Sequence, residues 1–190
     1  MNVAIYLFEN AEELDWAGPW EVLAAWAGGS DGEVAVYTVA ETEEPVRCAK
    51  GLRVLADHTW DTAPRPDVIL IPGGDVRVVQ KDESLLERLR DLSAGGALVT
   101  SVCTGAAVLA NAGLLDGKPA TTHWGAIDWL RELGVDMRPD ERFVDAGNVV
   151  TAAGVSAGID MALHLVARLD SVERAREVRR YIQYDPDPPV

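Results

Sequence analysis

A series of short, almost uninterrupted apolar runs, set apart by helical patterns, constrains this chain more than any other feature. Val3 to Phe8, Asp67-Val-Ile-Leu-Ile-Pro72 and Ala97 to Val102 show almost none of the polar alternation of a half-exposed strand. A strand that is apolar on both faces has to be covered on both, which is the situation of a parallel sheet between two layers of helices. The intervening segments supply such helices. The pattern predicts one from Gly18 to about Ala27, with Pro19 tolerated in its first turn and Gly28-Gly29 ending it. Ser84-x-x-Glu87 reads as a capping box opening a helix through about Leu92, and Thr104 to about Ala112 reads as a helix stopped by Gly113. Trp124 to Leu133 and Ser156 to Leu169 look helical. Asp170-Ser-Val-Glu173 opens a last helix that ends near Tyr184, before Asp185-Pro-Asp-Pro-Pro. Glu33 to Ala40 adds a strand, Arg47 to Leu55 a hairpin around Gly51, and Arg142 to Asp145 with Asn148 to Thr151 a short strand pair. Alternation of this kind predicts an α/β sandwich on a mainly parallel sheet. Chemistry in such sheets sits beyond the carboxyl ends of the strands, here residues 9–18, 72–75 and 102–105.

Composition narrows the function classes. A chain of 190 residues suits a single domain, 1–190, burying on the order of 70% of its unfolded surface. With 17 basic against 31 acidic side chains, the formal charge of −14 disfavours nucleic acid and anionic membranes as partners. The apolar run at the N-terminus stops at Glu9, short of a signal peptide, and none elsewhere approaches the ~18 residues of a membrane span. The expectation is a soluble, cytoplasmic protein. Its two cysteines, 103 − 48 = 55 positions apart, are too few for a disulfide framework or a four-ligand zinc site and fit a reducing compartment. No metal and no cofactor are expected.

The most informative segment is Leu98-Val-Thr-Ser-Val-Cys103-Thr-Gly-Ala-Ala-Val-Leu-Ala. It reads as strand, single cysteine, helix, with Gly105, Ala106 and Ala107 small enough for a sharp turn, which is the logic of a nucleophile elbow. A cysteine there lies near unpaired helix N–H groups, which predicts a thiol pKa below the usual ~8.5. Cys48, in the hairpin between Arg47 and Lys50, has no such setting and reads as structural. Gly154-Val-Ser156-Ala-Gly158 matches a serine elbow, but that fold needs an acid and then a histidine downstream. Only His164 follows, on the same helix, so Ser156 reads as a helix N-cap.

Several segments together resemble the ThiJ/PfpI superfamily: Glu13-Leu-Asp15-Trp-Ala-Gly18-Pro19, Ile71-Pro-Gly-Gly74, Ser101-Val-Cys103-Thr104-Gly105, Thr121-Thr-His123-Trp124, Thr151-Ala-Ala-Gly-Val-Ser-Ala-Gly158 and Ile182-Gln-Tyr-Asp-Pro-x-Pro-Pro. Within it they are most similar to the isonitrile hydratase branch. The resemblance runs the length of the chain. It implies a flavodoxin-like three-layer sandwich, a homodimer with sites near the subunit interface, and a nucleophilic Cys103 with Asp15 as its acidic partner. It also places Thr104 at the position that marks the hydratase-like branch, and makes the backbone N–H groups of Gly74 and Thr104 donors to charge developing at the reacting centre. His123 falls where some relatives bring a histidine near the cysteine, while a structural role fits it equally well. Trp16 and Trp124 flank the motifs and are expected to wall an apolar pocket for a small neutral organic substrate.

The chemistry this implies is hydration of an isonitrile to an N-substituted formamide, Asp15 delivering a proton while Cys103 attacks to form a thioimidate. Burial beside a thiolate would keep Asp15 protonated near neutral pH. Two rivals stand beside it: a glyoxalase or deglycase acting on reactive carbonyls, for which His123 would be essential, and a non-enzymatic sensor in which Cys103 is oxidised.

Overall fold

A computed structural model describes residues 1–186, so the last residues of the terminal Asp185-Pro-Asp-Pro-Pro motif lie outside the described residues. The strands, in chain order, are β1 (Asn2–Tyr6), β2 (Ala35–Ala40), β3 (Val46–Arg47), β4 (Arg53–Val54), β5 (His58–Thr59), β6 (Val68–Ile71), β7 (Leu98–Val102), β8 (Pro119–Ala120), β9 (Asp136–Met137), β10 (Phe143–Asp145) and β11 (Val149–Ala152). The helices are α1 (Glu13–Gly28), α2 (Glu83–Ala94), α3 (Gly105–Asn111), α4 (Ile127–Glu132), α5 (Ala157–Leu169) and α6 (Val172–Tyr181).

The central sheet has seven strands in the order β10-β11-β7-β6-β1-β2-β5. Its pairings are parallel apart from β10 against β11. Its inner five strands run second, first, third, fourth, fifth in chain order, the flavodoxin-like arrangement. The strands expected to be apolar on both faces are so because α1, α5 and α6 pack together on one side while α2 and α3 pack on the other. Val3, Ala4, Ile5, Ile69, Leu70, Ile71 and Val99 are fully buried between the layers. The chain leaves β1 toward β2 and returns on the other side as β6. The carboxyl ends of β1 and β6 therefore open a crevice where the direction of winding reverses, and β7 stands next to it.

Most expected elements are present, including the hairpin of β3 and β4 around Gly51, whose φ of +96° suits a glycine. The differences lie at helix starts. α1 begins at Glu13 rather than Gly18, so Pro19 sits inside the helix and leaves the Asp15 carbonyl without an N–H four residues on. Tertiary contacts hold that early turn: the Glu12 N–H donates to Gly73 O (2.9 Å) and the Glu13 carboxylate accepts from the Lys50 N–H (2.7 Å). The N-cap of α2 is Asp82, whose carboxylate accepts from the N–H groups of Ser84 and Leu85, so the capping box read at Ser84 lies two residues late. Ser171, within the second box, caps α6 through the Arg174 N–H. The segment read as one helix from Trp124 is a 3-10 turn (Trp124–Ala126) leading into α4. Among the described residues, no helix is long and apolar enough to cross a membrane.

Candidate active site

Three loops at the carboxyl ends of β1, β6 and β7 converge, and glycines allow them to do so. The loop after β6 lies against the loop after β1 through an isolated bridge between Ala11 and Gly74, with the Asp75 N–H on Asn10 O (3.0 Å). A Cβ on Gly73 would stand 2.6 Å from the Thr104 nitrogen and 2.8 Å from Asp15 Oδ2, so only glycine lets these groups approach. The doublet Gly73-Gly74 thus locks the first loop onto the cysteine loop.

Cys103 follows β7 directly, with a φ of +57° that is uncommon outside glycine and turns its side chain out of the sheet. Its neighbours hold that conformation. The Cys103 N–H is shared between the carbonyls of Ala152 (3.1 Å) and Ala153 (2.9 Å), and its own carbonyl accepts from the Thr122 hydroxyl (2.6 Å). The elbow read from the sequence is therefore present. Thr122, buried at 1% exposure, is a support that sequence reasoning did not single out.

Asp15, from the first turn of α1, is 0% exposed and reaches into the same place. Its Oδ2 accepts from the Gly73 N–H (2.8 Å), while Oδ1 has no conventional hydrogen-bond partner. Burial pushes its pKa up to about 7, with the Glu12 charge adding to the rise, against the Gly73 N–H, the Cys103 thiol and Lys50. A carboxyl near neutrality is what the sequence predicts, although burial rather than a neighbouring thiolate is the first cause.

Cys103 goes the other way from expectation. Burial and then the Asp15 charge push its thiol up to about 12, outweighing the Thr104 N–H and hydroxyl and the Val155 N–H, which favour the thiolate. The N–H groups at the start of the short α3 are outweighed because Cys103 is only 7% exposed and lies beside a carboxyl. The two groups titrate as one unit, whose first proton leaves near neutral pH and whose second is held well above it.

Thr104 lies where expected, but its hydroxyl donates to Gly74 O (3.0 Å) and accepts from the Gly74 N–H (3.0 Å). The Gly74 N–H is thus engaged by Thr104 rather than free for the reacting centre. The turn joined to Cys103 through Ala153 O brings a different backbone N–H toward the sulfur, that of Val155, whose φ of +45° is a strained value for a β-branched residue. Its only signal in the sequence is its place in the Gly154-Val-Ser156 turn.

The proposed pocket residues separate. His123 packs against Gly154, where a Cβ would lie 2.4 Å from its ring, and its Nδ1 accepts from the Gly125 N–H (3.2 Å). It borders the Val155 turn without a hydrogen bond to Cys103. Trp124 leans on the His123 ring at 5.3 Å but is 82% exposed, so in the single chain it walls no enclosed pocket; the 3-10 turn puts Ala126 inward instead. Trp16 is buried near Cys48, and its indole N–H has no hydrogen-bond partner among the described residues. Cys48 is 1% exposed with its pKa raised by burial, in keeping with a structural residue. Ser156 stands at the start of α5 without a side-chain capping bond, and His164 pairs with Asp145 (2.8 Å), so no serine triad forms. Among the described residues, no group of three or more His, Cys, Asp or Glu is placed to hold a metal ion.

Comparison with known proteins agrees with this geometry. Residues 1–168 match the model of the DJ-1/PfpI family. The chain is 40% identical over 190 residues to the isonitrile hydratase of Pseudomonas putida, covering 100% of this chain and 81% of that protein. It is 27% identical over 173 residues to the glutathione-independent glyoxalase DJR-1.2 of Caenorhabditis elegans, covering 90% of this chain and 89% of that one. Among solved structures, a ThiJ/PfpI family protein from Pseudomonas syringae superposes with a TM-score of 0.90 at 33% identity, covering 100% of this chain and 77% of that one.

Proposed function

This chain belongs to the DJ-1/PfpI family, and from that premise we propose that it hydrates a small, neutral isonitrile to the N-substituted formamide, in the manner of an isonitrile hydratase. The observation that carries this reading is the Asp15 carboxyl, fully buried and held by the Gly73 N–H beside the Cys103 sulfur. An isonitrile, R–N≡C, must gain a proton and a nucleophile at its terminal carbon. The Asp15–Cys103 pair holds one proton and one sulfur lone pair, which are the two things that step consumes.

The proton passes to the carbon, the S–C bond forms, and Asp15 is left as carboxylate with a thioimidate, R–N=CH–S–Cys103. Water then adds to the same carbon; one of its protons goes to Asp15 and the other ends on the nitrogen. The C–S bond breaks with its electron pair on the sulfur and R–NH–CHO leaves, so the pair again holds its one proton and the net change is the addition of one water. Asp15 acts as acid in the first half and base in the second, a task suited to a carboxyl whose pKa lies near 7. The N–H groups of Thr104 and Val155 steady the sulfur as its charge changes.

The proposal includes a homodimer in a reducing, cytoplasmic setting. Leu14 (40% exposed) and Leu52 (52%) flank Glu13 next to the site and suit a contact between copies. No hydrogen bond joins His123 to Cys103, which weighs against the carbonyl-directed chemistry that would make this histidine essential. Turnover of a simple alkyl isonitrile and of methylglyoxal, each by wild type and by His123→Ala, separates the readings. We expect formamide from the isonitrile with both proteins. Lactate from methylglyoxal, lost in His123→Ala, together with no formamide, would overturn the proposal. Oxidation of Cys103 by mild peroxide with neither activity would point to a sensor.

A further inference from the structure

The turn that contains Val155 lies directly against the elbow: the Cys103 N–H donates to Ala153 O (2.9 Å), and Val155, two residues on, stands at a φ of +45° with its N–H toward the sulfur. For a β-branched residue such a conformation is strained and persists only where the surroundings over-determine it. Besides the elbow and the His123 ring, one residue touches this turn at both ends: Arg142, at the end of the loop before β10. Its backbone carbonyl accepts from the Ala153 N–H (2.9 Å), and its guanidinium donates to Ser156 Oγ (3.3 Å). These two contacts bracket the turn that contains Val155.

The guanidinium is itself oriented. Its Nε donates to Asp160 Oδ2 (2.9 Å), with a second contact from its terminal nitrogen to the same oxygen. The other oxygen of Asp160 accepts from the Tyr184 hydroxyl (3.0 Å). Tyr184 is brought back onto α5 by Gln183, at a φ of +53°, and its carbonyl is held by Arg179 Nε (2.9 Å). A polar chain thus runs from the segment after α6, through the first turn of α5, to the turn that faces the nucleophile. The nearby group at Asp145 offers a contrast: Arg168 and His164 bind it, but its remaining contact is to the Gly147 N–H in the β10–β11 turn, and it does not touch residues 153–156.

We propose that Arg142, oriented by Asp160 and Tyr184, is a positioning residue that clamps the 153–156 turn and so keeps the Val155 N–H on the Cys103 sulfur. The inference rests on the reading of Cys103 as nucleophile, but it can be tested without any isonitrile. The rate of alkylation by iodoacetamide is measured against pH, with modification at Cys103 and Cys48 resolved by peptide mass. The variants are Arg142→Gln, Ser156→Ala, the double variant, and Arg168→Gln as a control that breaks an ion pair on the same helix.

Loss of a hydrogen bond that favours the thiolate moves the Cys103 profile to higher pH. At pH 8 the Arg142→Gln protein should react about three- to ten-fold more slowly, ten-fold corresponding to one pK unit. Ser156→Ala should move it in the same direction, the double variant no further than Arg142→Gln alone, and Arg168→Gln not at all. An Arg142→Gln or Ser156→Ala profile superimposed on wild type, or an equal displacement in Arg168→Gln, overturns the clamp. A wild-type Cys103 that reacts no faster than Cys48 contradicts the nucleophile reading itself, and with it the reason for a clamp.

Discussion

Asp15 is the residue in which the cost and the use of the site are easiest to see. In the unfolded chain its carboxyl ionises in the ordinary range near 4, whereas in the folded protein burial raises its pKa to about 7. Between those values the folded state holds a proton that the unfolded state has released, so stability falls as pH rises through that window and stays reduced above it. Asp15→Asn removes the ionisation and should stabilise the fold at pH 8 by roughly 2–4 kcal/mol, taking about 1.4 kcal/mol per pK unit. The gain should shrink toward zero at pH 4. Urea denaturation of both proteins at pH 4, 6 and 8 checks this, and a variant less stable than wild type at pH 8 would contradict it. Activity should move oppositely, falling about 10²- to 10⁴-fold with loss of the general acid. That Cys103 follows a strand was legible in the residues themselves, and that Asp15 lies beside it was legible through the family resemblance. The direction of the Cys103 pKa was not, because it depends first on how deeply the folded loops bury the thiol and then on how closely a carboxyl from another loop approaches, a distance set by Gly73.

At the scale of elements, close approach of backbones makes the site, and glycines mark where it happens. Gly105 opens α3, and a Cβ there would lie 2.3 Å from the Ile71 carbonyl oxygen, on the strand whose end supplies Gly73. Gly105→Ala must push β6 and α3 apart and should cost about 3 kcal/mol or more, with loss of activity. Gly28, at the end of α1, has nothing within 4 Å of the corresponding position. Gly28→Ala should be neutral or stabilising by up to about 1 kcal/mol. Thermal melts of the two variants check the contrast, and equal destabilisation would contradict it. The strands were legible because a parallel sheet writes itself as unbroken apolar runs. The start of α1 was not, because Pro19 signals a first turn while the contacts that begin the helix at Glu13 come from Gly73 and the β3–β4 hairpin, remote in the chain. The short β5, β8 and β9 were also missed, having too few residues to show a period. Val155 was hidden for a related reason: backbone strain arises from what surrounds a turn, here Arg142 and the elbow it faces, and has no residue-type signature.

Across the whole molecule, the charge of −14 leaves a surface that repels polyanions, while Leu14, Leu52, Leu55 and Trp124 stand exposed around the hairpin and the Thr121-Thr-His123-Trp124 segment. Burying such side chains between copies would relieve the exposure and bring Trp124 against a partner. Light scattering on the purified protein should give twice the chain mass, with Leu52→Asp shifted toward monomer; a wild-type monomer at micromolar concentration would contradict the dimer. The proposed reaction joins these pieces: in it Cys103 forms a bond to the isonitrile carbon and Asp15 manages the protons. The direct measurement is formamide production from an alkyl isonitrile, followed by proton NMR, with wild type and Cys103→Ala at equal concentration and verified fold. The account predicts steady formamide release by wild type and none above the uncatalysed rate by Cys103→Ala. Undiminished formamide from Cys103→Ala would contradict it.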